Sequence, residues 1–425
     1  MLKQLHAVLW GPPTAVLLCA FGAYFTYKSK FRQIHVLRIV RERARELGRR
    51  EGGIPAGASM ATALGGTVGI GSVAGVGLAL ATGGAGSIFW MWVTGFLGCM
   101  LKFAETAVAV EYRTDANGIA AGGAMYALRA AGKRRAAAAF AVLCVLACFG
   151  TGALTQANAV ARAAEMNGIP ATATGVVFAL CVIAAVRGGR RSIARFSAWA
   201  VPAAGAVYLL AATAVIAAHA SLLPQALEDI FVSAFGLRQA AGGIGGSAVV
   251  MAAIRTGVVR GVYSSECGMG SSPIVHASNN TALPHTQGDW GVLEVYADIF
   301  VFSTLTALAM LVCGTNSAYV VFASSFGRAG SVIYVPLTAI FGFAAAVSWC
   351  FYAESAAEYL SPQSRTLPKL IRAGAAACAY LGAVANGEDL WYAADIINLF
   401  MAIPNLYLLF IKRKEICRWF TTDRA

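Results

Sequence analysis

Apolar residues run along this chain in blocks of roughly twenty, separated by short stretches in which basic residues gather. A helix needs about 20 apolar residues to cross the hydrocarbon core of a bilayer. On that measure the pattern predicts about eleven spans, at 7–27, 57–82, 85–112, 136–164, 171–187, 193–219, 225–261, 289–313, 330–353, 368–386 and 389–411. The first apolar run, His6 to Tyr27, is too long for a cleavable signal, lacks a small-residue cleavage site and is followed by dense positive charge. The seventh is too long for one plain helix. It contains Ala241-Gly-Gly-Ile-Gly-Gly246, so it reads as a helix broken in the middle.

The basic residues test the count. Loops 28–53, 113–135, 187–195 and 354–372 and the tail 412–425 hold the basic runs, and eleven spans put all five on one side. Only Lys3, Arg162, Arg238 and Arg328 fall on or near the other. The positive-inside rule then places the N-terminus outside and the C-terminus in the cytoplasm of a multi-pass plasma (inner) membrane protein. The loop at about 273–288 carries no Lys or Arg and gives no help.

Composition agrees. Of 425 residues, 58% are hydrophobic and 12% charged, and the mean hydropathy is +0.66. Soluble domains carry about twice that charge, so disorder, coiled coil and an ordinary soluble enzyme are excluded. The net charge of +13 sits in loop-like runs, which favours a membrane partner over nucleic acid. The ten cysteines are scattered without a CxxC, so neither a zinc site nor a disulfide framework is indicated. No nucleophile–base pair points to an enzyme.

The second span reads Ala63-Leu-Gly-Gly-Thr-Val-Gly-Ile-Gly-Ser-Val-Ala-Gly-Val-Gly77. So many glycines make a poor helix. One reading is close helix packing through small residues. The sharper one is a discontinuous helix, since irregular backbone at membrane depth is tolerated where it lines a cavity. Exposed amides and carbonyls there can bind a carboxylate and a cation. Setting the first span aside, spans two and seven open two sets of five helices with opposite orientation. Interrupted helices in matching positions of inverted halves point to a transporter site. Thr67-Val-Gly-Ile-Gly71 looks like a potassium-filter string, but a filter needs four copies around an axis. Gly69-x-Gly71-x-x-Ala74 lacks the strand and acid of a dinucleotide site.

Several charges fall at membrane depth. Lys102 and Glu105 are three apart and share a helix face, which suits a structural ion pair. Arg255 and Arg260 are expected near the cytoplasmic end of span seven, snorkelling or paired with Glu266. Glu294, Asp298, Glu354 and Asp395 are the remaining acids, each a functional candidate and a candidate proton carrier. His276 and His285 read as ordinary loop residues.

The strings Gly83-Gly-Ala-Gly-Ser-Ile-Phe-Trp-Met-Trp92, Thr155-Gln-Ala-Asn158, Arg260-Gly-Val-Tyr-Ser-Ser-Glu-Cys-Gly-Met-Gly-Ser-Ser-Pro273 and Asp395-Ile-Ile-Asn-Leu-Phe-Met-Ala-Ile-Pro-Asn405 make the chain resemble the alanine/glycine:cation symporters, the sodium:alanine symporter family, over nearly its whole length. The resemblance implies an all-α polytopic membrane protein. Its five-plus-five inverted repeat has a leucine-transporter-like fold, two discontinuous helices and one extra N-terminal helix. Within a single domain over 1–425, the extra helix is 7–27, the first repeat about 57–219, the second about 225–411, and 412–425 a cytoplasmic tail. It also implies import of a small neutral amino acid by cation symport, with Na+ as candidate coupling ion and no other cofactor.

By the same resemblance, the amides near Ile70 and Gly71 would meet the substrate carboxylate. Thr67, Gly69 and Ser72 lie beside them, Gly243 and Gly246 come from the second glycine break, and Trp349 joins the set. Gln156 either faces the substrate or makes an interhelical hydrogen bond. The carbonyls of Gly65 and Val68, with Ala344 and Ser348, would face the cation. The departures matter most. Ser72 stands where the family shows Asn. Phe343-Ala-Ala-Ala-Val-Ser-Trp349 stands where the family shows Phe-Ser-Thr followed by Gly-Trp, and the family's Gly-Gly-Pro-Gly-Ala is altered at Ala85 and Ser87. Two hydroxyls of the usual sodium shell thus become Ala344 and Ala345, which predicts weak or absent sodium dependence, with Ser348 one turn on as a stand-in. The alternatives are a sodium-independent or proton-coupled carrier or exchanger of the same fold. From another class comes a transporter-like amino-acid sensor, against which the short loops and tail argue.

Overall fold

Proline sets several of the helix starts. Its missing N–H is not needed in a first turn, and Pro12, Pro224, Pro273, Pro284 and Pro368 all sit there. The computed structural model describes residues 2–45, 54–116, 119–237, 246–279, 283–385 and 389–420. Among the described residues the regular structure is helical apart from one short antiparallel hairpin, Thr114–Ala116 with Ile119–Ala121.

The helices, in chain order, begin with α1 (Leu2–Leu9), α2 (Pro12–Lys28), α3 (Val36–Ala44), α4 (Ala56–Thr67), α5 (Ala74–Gly83) and α6 (Gly86–Glu111). Next come α7 (Ala124–Ala130), α8 (Arg134–Ala147), α9 (Thr155–Glu165), α10 (Ala171–Val186), α11 (Gly189–Ala218) and α12 (Leu223–Ala234). The rest are α13 (Gly246–Ser265), α14 (Pro273–His276), α15 (Pro284–Val295), α16 (Thr304–Val312), α17 (Ala318–Leu360), α18 (Leu367–Val384) and α19 (Asp389–Trp419). Two π-helical turns, Cys148–Leu154 and Tyr296–Ser303, join α8 to α9 and α15 to α16 without ending the rod. Within α17, Gly327 takes φ +58°, a conformation glycine reaches without strain, and kinks the helix.

Among the described residues, six helical stretches are long and apolar enough to span a bilayer, and α4 with Ile70–Gly83 forms a seventh bent by 54°. The solvent rule of a soluble protein is inverted. Leu210 is 72% and Trp199 65% exposed, while Lys102, Asp289, Glu294, Asp298 and Asp395 are fully buried. An apolar outside around a charged inside is what lipid selects.

The loops assigned to one face from their basic residues do touch one another. Arg190 of the 187–195 loop pairs with Glu358 of the 354–372 loop at 2.8 Å, and Lys412 of the tail reaches Tyr112 beside the 113–135 loop. At the opposite end, His6 and Trp10 meet Asp395, and Arg162 donates to the Ala385 carbonyl at 2.9 Å.

The stretch 225–261 is divided between α12 and α13; of the break expected at 241–246, residues 241–245, Gly243 among them, lie outside the described residues, and Gly246 opens α13. The chain leaves helix again at Glu266–Ser272, between α13 and α14, where Glu266 itself takes φ +51°. Three other expectations fail. Arg260 stands at the end shared with α1, where it pairs with Asp395 at 3.0 Å rather than with Glu266. Lys102 turns away from Glu105. Its ammonium donates to Ser272 at 2.7 Å and approaches Glu294 at 3.5 Å, while Glu105 accepts from Asn405. His276 is no ordinary loop residue. It is fully buried, 2.9 Å from Glu294 and 2.7 Å from Gln287.

Lys102, Glu294, Ser272 and His276 thus stitch α6, α14 and α15 into one buried polar cluster. Removing one charge of such a cluster leaves the other without compensation. Lys102→Met is expected to destabilise the protein by about 3–5 kcal/mol, and Glu294→Gln added to it should recover much of that loss. Denaturant unfolding in mild detergent, followed by circular dichroism, measures both; a double variant no more stable than the single one contradicts this account.

Candidate functional site

The break in the first core helix comes from its glycines. After Thr67 the Gly69 amide turns back to the Thr67 carbonyl at 2.9 Å, so the Gly65 carbonyl loses its normal helical partner. Chain direction recovers only through a 3₁₀ turn at Ile70–Ser72. The amides of Ile70 and Gly71 donate to no protein acceptor among the described residues. A pair of free amides at the start of a helix attracts anions, because the helix dipole and the N–H groups point the same way.

Close packing fixes what surrounds the break. A Cβ placed on Gly71 would stand 3.4 Å from the Ser264 backbone and 3.6 Å from the Tyr263 ring. One placed on Gly69 would meet Ala345 at 3.2 Å and Oε1 of Gln156 at 3.3 Å. Gln156 donates to the Thr151 carbonyl at 3.1 Å, and its buried Oε1 has no partner. On the other face of α4, a Cβ on Gly65 would come within 3.2 Å of the Ser348 hydroxyl and 3.5 Å of Ala344. Ser348 donates to the Thr62 carbonyl at 2.8 Å, which leaves its oxygen lone pairs unspent. The structure therefore brings Gly65 together with Ala344 and Ser348, and Gly69 with Ala345 and Gln156. Thr67 back-bonds to Ala63 within its own helix.

Two members of the sequence-derived set lie elsewhere. Gly246 starts α13, 18 residues from Ser264, which is about 27 Å along a helix. Trp349 packs on Gly152 and the Tyr352 ring, with centroids 5.4 Å apart.

The charged centre of the site is Asp298, in the π turn between α15 and α16. Its Oδ1 accepts from Ser264 at 2.9 Å and from Ser72, and the two serine hydroxyls are 3.3 Å apart. Its Oδ2 is buried without a partner, and among the described residues no Lys, Arg or His forms an ion pair with it. A carboxylate so placed is costly without a compensating cation. The sequence marked Asp298 as one of several acids and Ser72 as a departure. It carried no sign that the two touch across 226 positions, and Ser264 went unmarked.

Beside the break lies a small apolar cavity of about 10 Å³. It is bounded by Gly69, Ile70 and Val73 on one side and by Tyr208, Leu337 and Phe341 on the other. Its volume admits about one water-sized group.

The chain is similar to known proteins over nearly its whole length. The sequence profile of the sodium:alanine symporter family matches residues 1–422. A protein of Methanococcus maripaludis named sodium/alanine symporter AgcS is 34% identical over 96% of this chain and 93% of its own. A probable sodium/glutamine symporter, GlnT, of Bacillus subtilis is 32% identical over 96% of this chain and 87% of its own. The crystal structure of MhsT in complex with L-phenylalanine superposes with a TM-score of 0.57, covering 85% of this chain and 90% of that one at 16% identity.

Proposed function

Because the chain belongs to the sodium:alanine symporter family, a family of membrane transporters rather than enzymes, we propose that it imports a small neutral amino acid together with one monovalent cation, by alternating access. Cation-coupled amino-acid transport is the family's activity. The size of the substrate, the ion's position and the orientation are this reading's own. The N-terminus lies outside and the C-terminus in the cytoplasm, as the positive-inside rule requires.

One observation carries the reading. The free amides of Ile70 and Gly71 stand beside the Ser72–Ser264–Asp298 cluster. The amides take the substrate carboxylate. The cation sits between that carboxylate and Asp298, with the two serine hydroxyls as further oxygens, a donor set suited to a hard ion. Each ligand neutralises charge that the other would leave exposed, and this couples their binding. The substrate's ammonium group is received by Gln156 Oε1, which otherwise stays unpaired. Its side chain enters the one-water cavity, which suits a hydrogen or a methyl and excludes a branched chain.

The second cation position, between Gly65, Val68, Ala344 and Ser348, is short of oxygen. The Gly65 and Val68 carbonyls and the Ser348 hydroxyl remain where the ion needs about five or six oxygens. Sodium is therefore held at Asp298 or not at all. A proton on Asp298 is the second reading, favoured by the lack of any cationic partner there among the described residues.

Uptake of labelled alanine into proteoliposomes, with sodium and proton gradients imposed separately, tests the function. A gradient of one ion should drive accumulation; accumulation under neither overturns the symport. Glycine and serine should compete with alanine, while leucine and phenylalanine should not, and tight leucine binding would show the cavity to be wider than drawn. Gly71→Leu should abolish alanine binding in a protein that still inserts and purifies as a folded monodisperse species, since its side chain fills the space before the amides; wild-type affinity sinks the placement. Ala344→Ser with Ala345→Thr should strengthen sodium dependence by restoring the missing hydroxyls. If the double variant needs sodium no more steeply than the unmodified protein, the missing hydroxyls do not limit the second position and the oxygen argument fails.

A further inference from the structure

A second cavity, of about 320 Å³, opens at the end of the molecule where α1 lies. Its lining takes Lys3 and His6 from α1 and Arg255 and Arg260 from α13, and Tyr392 on α19 closes one wall. No acidic residue lines it among the described residues. Thr82 and Thr256 add hydroxyls.

Arg260 joins this cavity to the inner site. It lies four residues before Ser264, about one helical turn, and its guanidinium stands 5.4 Å over the Tyr263 ring. Tyr263 in turn packs against Gly71. Nη2 of Arg260 holds Oδ2 of Asp395 at 3.0 Å, the same oxygen that His6 approaches at 3.0 Å. Nη1 of Arg260 is buried without a partner, and so is Oδ1 of Asp395. Arg260 is only 6% exposed, so a donor left unmade there is costly. Lys3, unlike Arg260, forms no ion pair among the described residues.

We propose that this cavity is an outer binding site for a carboxylate, where an amino acid is held by Arg260 and Lys3 before it reaches the inner site. The proposal rests on the amino-acid reading above. The carboxylate satisfies Nη1 of Arg260 and takes the exposed ammonium of Lys3, while the threonine hydroxyls accept from the amino group. Binding also competes with Asp395 for the guanidinium. It thereby loosens the contact that, with His6 and Tyr263, separates the cavity from the break. The N-terminal helix α1 so gains a role in binding, because it supplies the Lys3 ammonium to the cavity and, in His6, one of the groups holding Asp395.

The test uses Thr82→Cys in the full-length protein, labelled by a water-soluble methanethiosulfonate in detergent, with the parent protein subtracted as background. Acetate and alanine should both slow labelling, and alaninamide or chloride at equal concentration and ionic strength should not. Lys3→Gln should raise the half-protecting concentration about fivefold, the worth of one partly exposed charge contact. Protection should survive Gly71→Leu, which blocks only the inner site. Equal protection by chloride makes the cavity a simple anion site and overturns the proposal, as does protection indifferent to Lys3→Gln. Protection that vanishes with Gly71→Leu assigns the effect to closure around the inner site and overturns it too. Acetate has no amino group, so its protection of the introduced thiol stands even if alanine proves not to be the transported substrate.

Discussion

A polypeptide inside a bilayer has to satisfy its own backbone, because lipid offers no hydrogen bonds. The interruption at Val68–Gly69 is a local refusal of that rule. It leaves the Gly65 carbonyl and the Ile70 and Gly71 amides unspent in the middle of the protein. The rest of the architecture contains that refusal. Helices α11, α13 and α17 pack around the break through glycines and small side chains, so that lipid never reaches it. Asp298 is the second exposed cost at the same place, a buried carboxylate with two hydroxyls and no counter-charge among the described residues. Two incomplete electrostatic sets stand side by side there, one of amides and one of carboxylate oxygens, and the proposed binding of a zwitterion with a cation would complete both.

Buried charge elsewhere is arranged differently. At one end, Lys102, Glu294, His276 and Ser272 satisfy one another between α6, α14 and α15. At the other, Arg260 and His6 converge on one oxygen of Asp395 between α13, α1 and α19, which leaves Nη1 of Arg260 and Oδ1 of Asp395 unpaired. Both clusters tie helices that belong to different parts of the chain. Paired charges of this kind hold a geometry more than they add stability.

Much of this was legible in the sequence. The apolar blocks located the long helices, and the basic runs grouped the loops by end, as the contacts Arg190–Glu358 and Arg162–Ala385 bear out. The glycine run at 65–77 located the first break. What was missed has a common cause. The interruption at Glu266–Ser272 begins at a non-glycine residue with positive φ, which no local pattern announces. Pairings such as Ser72 with Asp298, His6 with Asp395, or Lys102 with Ser272 join residues 170 to 389 positions apart. No periodicity encodes them. The sequence showed that charges were buried, and the fold decided which met.

The central claim is that Asp298 anchors the coupling cation beside the free amides. The most direct measurement is alanine affinity of the purified protein as a function of sodium concentration, and separately of pH, for the unmodified chain and for Asp298→Asn. The carboxamide of that variant keeps an oxygen for Ser72 and Ser264, so the helices stay in place while the charge is removed. The account predicts that alanine affinity in the unmodified protein rises with one of the two cations and that Asp298→Asn binds alanine with that dependence flattened. An Asp298→Asn protein whose affinity follows the cation as steeply as before would contradict it.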